Sequence, residues 1–104
     1  MKRIYLSGKI TNNVNYKKQF LRAYTYCRDE FDCEVINPSL LNTILRKGSW
    51  EEYMALCIPL LKMCDTIFMM KTWKDSKGAT EELRVAKELG LKIIFEEGGI
   101  DVNI

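Results

Sequence analysis

Two neighbouring carboxylates, Glu81 and Glu82, close the segment Ser76-Lys77-Gly78-Ala79-Thr80-Glu81-Glu82, which follows the apolar run Thr66-Ile67-Phe68-Met69-Met70. The run reads as a buried strand. The segment after it opens a helical pattern, from about Gly78, that continues to Leu89 and stops at Gly90. A strand that feeds a helix through small residues leaves backbone N–H groups free at the helix start, where anions bind. At about 3.6 residues per turn, Ala79, Glu82, Ala86 and Leu89 share one side, with Leu83 beside them. Glu81, Arg84, Lys87 and Glu88 fall mostly on the other. Glu82 is therefore expected beside the apolar face and Glu81 in water. A carboxylate in a first helical turn is stabilised as an anion, and at the edge of a sheet it can serve as a nucleophile or a base. In the plainer reading it only complements the helix dipole.

Other reactive groups are few. The chain has no histidine, which excludes histidine-based triads and proton shuttles. Cys27, Cys33, Cys57 and Cys64 contain no CxxC pair, so no metal site is expected, and four buried thiols are a better reading than disulfides. The chemistry must use carboxylates, hydroxyls, amides or lysines, without a cofactor.

Composition narrows the partners. A chain of 104 residues, 47% apolar and 29% charged, is expected to form one soluble domain with its own core. A net charge of +2 with no basic block argues against a nucleic acid polymer. No apolar run approaches the ~20 residues of a membrane span, and no signal peptide is visible, so a cytoplasmic protein is expected.

The positioning elements follow from periodicity. Ile4-Tyr5-Leu6 is a short β-rich run ended by Ser7-Gly8, and Lys9 to Asn13 is a polar loop in which Asn12 or Asn13 can cap a helix. From about Val14 to Phe31, Phe20, Tyr24, Cys27 and Phe31 recur at helical spacing, with Leu21 alongside. Cys33-Glu34-Val35-Ile36 is a second strand, stopped by Asn37-Pro38. Ser39 to Arg46 reads as a short helical turn. Ser49 with Glu52 forms a capping box, which starts a helix at Trp50 that runs to about Met63 and has to accommodate Pro59. Leu91 to Phe95 is the fourth strand, after a C-cap at Gly90.

Strands that are near-continuous apolar runs, alternating with helices, predict an α/β domain with a parallel sheet covered on both faces. Right-handed crossovers make it a small doubly wound sheet of four strands, flavodoxin- or Rossmann-like, in the order 2-1-3-4. Ligands of such sheets bind outside the carboxyl ends of the strands, where the order reverses. There the loop Ser7-Gly8-Lys9-Ile10 meets the loop from Lys71 to Gly78, and Glu82 falls beside the crevice.

Several segments together resemble a small bacterial and phage family: Ile4-Tyr5-Leu6-Ser7-Gly8-Lys9-Ile10-Thr11, Val35-Ile36-Asn37-Pro38, Cys64-Asp65 and Trp73-x-x-Ser76-x-Gly78-Ala79-x-x-Glu82. That family is similar to the nucleoside 2-deoxyribosyltransferases and the deoxynucleoside 5′-monophosphate N-glycosidases. The resemblance implies a single domain of this kind over residues 1–104, acting on a nucleoside or nucleotide. It implies that Glu82 attacks the anomeric carbon and forms a covalent 2-deoxyribosyl-enzyme, which water or another base resolves. It places Tyr5 near the sugar and the carboxylate, and lines the pocket with backbone amides at Ser7-Gly8. Nucleoside transferases tend to carry aspartate at the position of Ser76, facing the sugar 5′-hydroxyl, and the monophosphate glycosidases carry serine; Ser76 therefore favours a 5′-phosphorylated ligand. The relatives also use an aspartate where this chain has Cys57, and a neutral thiol is a poor substitute for a carboxylate.

Further candidates have two readings each. Trp73 can stack on a base or pack over the sheet edge, and Asn37 can enter the site or serve its Asn-Pro turn. Lys9 can meet a phosphate or water. Asp65 reads as a turn or cap residue. The transferases donate an asparagine near the C-terminus to a neighbour's site, which makes Asn103 a candidate and implies a homodimer or higher homo-oligomer. The expected activity is N-glycosidase or 2-deoxyribosyltransferase chemistry. The alternative is a binding module of the same fold that has lost turnover through Cys57.

Overall fold

The computed structural model describes residues 1–96, so the position of Asn103 lies outside the described residues. Its central strand, β1 (Arg3–Ser7), sends Ile4 and Leu6 to one face and Tyr5 and Ser7 to the other. All four are buried, as a parallel strand covered on both sides requires. β2 (Glu34–Ile36) and β3 (Thr66–Met69) pair with β1 on either side, and β4 (Lys92–Phe95) pairs with β3. Every ladder is parallel and the order is β2-β1-β3-β4, so the small doubly wound α/β sheet expected from the chain is the one it forms.

Helix α1 (Tyr16–Phe31) covers the Ile4 and Leu6 face, where Phe20, Ala23 and Cys27 pack with Phe68 and Met70. Helices α3 (Trp50–Lys62) and α4 (Lys77–Leu89) cover the other face, where Cys57, Leu61, Leu83 and Ala86 meet Tyr5, Ile67 and Met69. Between β2 and α3 the chain makes a 3-10 turn, Pro38–Leu40, and a single helical turn, α2 (Leu41–Ile44). No helix among the described residues is long and apolar enough to cross a membrane.

Local details depart from expectation at some positions and follow it at others. α1 starts at Tyr16 and its N-cap is Asn15, which makes no side-chain cap bond. Asn13 is instead spent within the loop: its oxygen accepts from the Asn15 N–H and its amide donates to the Lys9 carbonyl and to Gln19. Leu21 lies outside the helix's apolar stripe and is exposed. The capping box of α3 is complete, with Glu52 N–H donating to Ser49 Oγ at 3.0 Å and Ser49 N–H to Glu52 at 2.8 Å. The helix then runs through Pro59 as one element. Pro59 and Ala55 are both exposed, so water can serve the Ala55 carbonyl that loses its helical donor. Of the four free cysteines, Cys27, Cys57 and Cys64 are buried and Cys33 is half-buried, because β2 begins after it at the sheet edge. Gly90 ends α4 at φ 72, the left-handed conformation that favours glycine.

Candidate active site

The sheet's switch point is built by a close approach of two loops. Gly8 follows β1, and a Cβ on it would stand 2.9 Å from Met70 Sδ and 3.2 Å from Thr72 Oγ1. A Cβ at this position would have to push the Met70 and Thr72 side chains aside. The Lys9 N–H then donates to Thr72 Oγ1 at 2.9 Å, tying the first loop to the one after β3. Beside this junction a cleft of about 810 Å³ opens between the first loop, the segment after β2, α3 and the start of α4. Gly8, Lys9, Ile10, Ser76, Gly78, Ala79 and Glu82 all line it. These residues are far apart in sequence and the topology brings them together.

Glu82 is the chemical centre. It is only 5% exposed, yet it lies on the cleft wall and is satisfied by hydroxyls alone among the described residues. The Tyr5 hydroxyl donates to Oε2 at 2.5 Å and the Ser7 hydroxyl donates to Oε1 at 2.7 Å. Strand alternation explains the pair: Tyr5 and Ser7 are two residues apart on β1 and point the same way, towards the first turn of α4. Burial pushes the Glu82 carboxyl up to about 7, and the two hydroxyl donors pull against that shift. Burial, and then the Glu82 charge, raise the Tyr5 hydroxyl well above its usual range, so it stays a donor at neutral pH. Each carboxylate oxygen thus accepts one fixed hydrogen bond and keeps lone-pair capacity for a ligand.

Glu81 behaves oppositely. It turns outward and is clasped by Arg84, whose Nε donates at 3.0 Å and whose second guanidinium nitrogen donates at 2.5 Å. Hydrogen bonding to Arg84 holds its carboxyl below the usual carboxylate range. The division of labour between the two glutamates is the one the helical period predicts.

Cys57 also lines the cleft and faces Tyr5 and Glu82. Burial pushes its thiol up to about 12, so it is neutral and cannot supply the charge of a carboxylate. Ser76 is the N-cap of α4, its Oγ accepting from the Ala79 N–H at 3.0 Å. Ser76 keeps its own hydroxyl proton, and the first N–H groups of the helix, at Lys77 and Gly78, precede any intrahelical partner.

Two candidates lie elsewhere. Trp73 sits in a 3-10 turn (Trp73–Asp75), is 8% exposed, and packs on Phe95 with ring centroids 6.0 Å apart, outside the cleft lining. The Asn37 oxygen accepts from the Ser39 N–H at 3.1 Å and the Ser39 hydroxyl at 2.6 Å, which spends it on the turn. Asp65 is likewise structural: it accepts from the Lys2 N–H at 2.8 Å and from the Thr66 hydroxyl at 3.0 Å, pinning the start of β1. The sequence reading missed Trp50, Tyr53, Asn42 and Arg46, which also line the cleft. Helical spacing gives a signal for Trp50, Tyr53 and Cys57, which share a side of α3, but nothing local says what that side faces. Among the described residues no cluster of three or more potential ligands could hold a metal ion.

Residues 2–95 match the family model described as "Domain of unknown function (DUF4406)", and the chain belongs to that family. No curated protein matches the chain.

Proposed function

We propose that this DUF4406 protein cleaves the N-glycosidic bond of a 2′-deoxynucleoside or its 5′-monophosphate, as a glycosidase or a 2-deoxyribosyltransferase, with Glu82 as nucleophile. The observation that carries the reading is Glu82 itself. A carboxylate is rarely buried without a cation, because desolvation costs several kcal/mol. This one is buried against two hydroxyls on the wall of a cleft within the roughly 300–1,000 Å³ range of small-molecule sites. The family's resemblance to the deoxyribosyltransferases supports the same assignment.

In this mechanism a Glu82 oxygen attacks C1′ of the sugar. The C1′–N bond breaks, and the base leaves with the bonding pair and takes a proton from solvent. The glycosyl ester is then resolved at C1′ by water, whose proton passes to solvent, or by a second base in a transfer reaction, and Glu82 is released as the carboxylate. Tyr5 and Ser7 hold the carboxylate in place and favour its anion. At the 5′ end, the Ser76 hydroxyl and the amides at the start of α4 donate to a phosphate, with the Asp75 carboxylate on the adjoining wall opposing part of that attraction.

One observation favours a second reading, a nucleotide-binding module with impaired turnover: the neutral Cys57 thiol stands where the relatives use an acid. Calorimetry with 2′-deoxynucleoside 5′-monophosphates, followed by chromatography for released base, separates the readings. We expect binding with feeble turnover in the wild type, raised roughly 10²–10⁴-fold by Cys57→Asp, the usual worth of a positioned acid–base group. Binding without base release in either protein selects the binding module. Absence of binding defeats both.

A further inference from the structure

The cleft continues past the amino end of α4. A second concavity of about 480 Å³ adjoins it, and Trp50, Asp75, Ser76 and Lys77 line both. Each space on its own falls within the roughly 300–1,000 Å³ of small-molecule sites. In the proposed function a mononucleotide, with its sugar at Glu82 and its 5′-phosphate at Ser76, takes the inner one and reaches the wall that the two share.

The boundary is an aromatic platform. Trp50, the first residue of α3, is 36% exposed and belongs to neither core cluster. Its edge is set against the start of α4, since a Cβ at Gly78 would stand 3.7 Å from the indole Nε1. The Lys77 ammonium rests 4.0 Å from the ring centroid. An indole here offers a stacking face to a planar ligand once the ammonium moves aside. Charge is also uneven here. Glu81 borders the outer space and shares Arg84 with Glu88, whereas Lys74 and Lys77 make no ion pair among the described residues. Asp75 is the remaining acidic group on the wall.

We infer that the ligand is a dinucleotide, two nucleosides joined through their 5′ positions by a pyrophosphate. One nucleoside lies in the inner cleft with its sugar at Glu82. The pyrophosphate passes Ser76 and Lys77, and the second base stacks on Trp50 in the outer concavity. The Lys77 ammonium exchanges the indole face for the pyrophosphate, and Lys74 faces the second half. This inference rests on the proposed function for the orientation of the inner nucleoside.

The test compares dissociation constants for thymidine 5′-monophosphate and dithymidine 5′,5′-pyrophosphate, and for the matching deoxyadenosine pair, by calorimetry. The same titrations are followed by fluorescence in Trp73→Phe, which leaves Trp50 as the sole indole of the chain's two. We expect the pyrophosphate to bind at least about tenfold tighter, in keeping with one stacked base, and to quench Trp50. Trp50→Ala, and Thr80→Trp, which fills only the outer concavity, should each bring the ratio of the two constants towards one. Equal affinities in the wild type, or a ratio that survives both substitutions, overturn the inference while leaving the proposed function standing. If neither ligand of either pair binds, both fall together.

Discussion

The two faces of β1 differ in kind. Towards α1 it presents Ile4 and Leu6 to Phe20, Ala23, Cys27, Phe68 and Met70, an interior with no ionisable group that is charged at neutral pH, since burial pushes the Cys27 thiol up to about 12. Towards α3 and α4 the same strand presents Tyr5 and Ser7, and the interior there holds a carboxylate, a phenol, two thiols and an indole. A single alternating strand thus separates a face that only packs from the face of the candidate site, the reactive face of the proposed function. The packed face draws its stability from apolar burial; the reactive face gives some of it up to hold Glu82 away from water.

That comparison is sharpened most by a crossed pair of substitutions. Glu82→Gln conserves volume and should abolish base release, by more than about 10³-fold if Glu82 is the nucleophile. Phe68→Ala, on the packed face, should cost about 3–5 kcal/mol in urea unfolding while kcat per folded molecule stays that of the wild type. If Phe68→Ala abolishes turnover in material shown to be folded, or Glu82→Gln leaves it intact, the division between the faces is wrong.

Acidity distinguishes the faces next. Glu82 titrates at about 7 in the folded protein against an ordinary 4.5, so the folded state binds the extra proton between those values. A raised carboxyl pKa contributes stability at low pH that is lost as pH rises from about 4.5 through 7. The size is about 3 kcal/mol, from ~1.4 kcal/mol per pH unit. Turnover should move the opposite way, rising through pH 7 as the nucleophile becomes an anion. Urea melts across this range should show the loss in the wild type, and Glu82→Gln should abolish it. A wild-type profile flat between pH 5 and 8 would mean that the carboxylate is solvated or paired with a cation.

Much of this was legible in the chain because it depends on short-range periodicity. Four apolar runs and the helices between them were enough for the strand order, and the helical period separated Glu82 from Glu81. Ser7 was legible only in part: it was expected to end the strand and offer backbone amides, whereas β1 includes it and its hydroxyl donates to Glu82. Trp50 could be read as a helix start, but its neighbour Gly78 lies 28 positions away, and nothing local says that α3 and α4 meet there. Asn37 followed the turn chemistry of its own dipeptide. Trp73 had two readings, stacking on a base or packing over the sheet edge, and only tertiary packing on Phe95 of the edge strand decides between them.

Trp73 also provides the smallest test of the comparison. Its indole is buried on the reactive side of the sheet, and its Nε1 has no hydrogen-bond partner among the described residues. An unsatisfied buried N–H costs about 1–3 kcal/mol, while truncating a buried tryptophan to alanine ordinarily costs about 3–5 kcal/mol in lost packing. Trp73→Phe removes the orphaned donor and keeps one ring against Phe95, so the two effects oppose each other. We expect the net change in unfolding free energy to stay within about 1 kcal/mol of zero. The conservative swap Phe68→Leu on the packed face has no such compensation and should cost more. A loss above about 2 kcal/mol in Trp73→Phe would show that the indole N–H is satisfied after all, for instance by a buried water, and that this part of the reactive face is packed as tightly as the other.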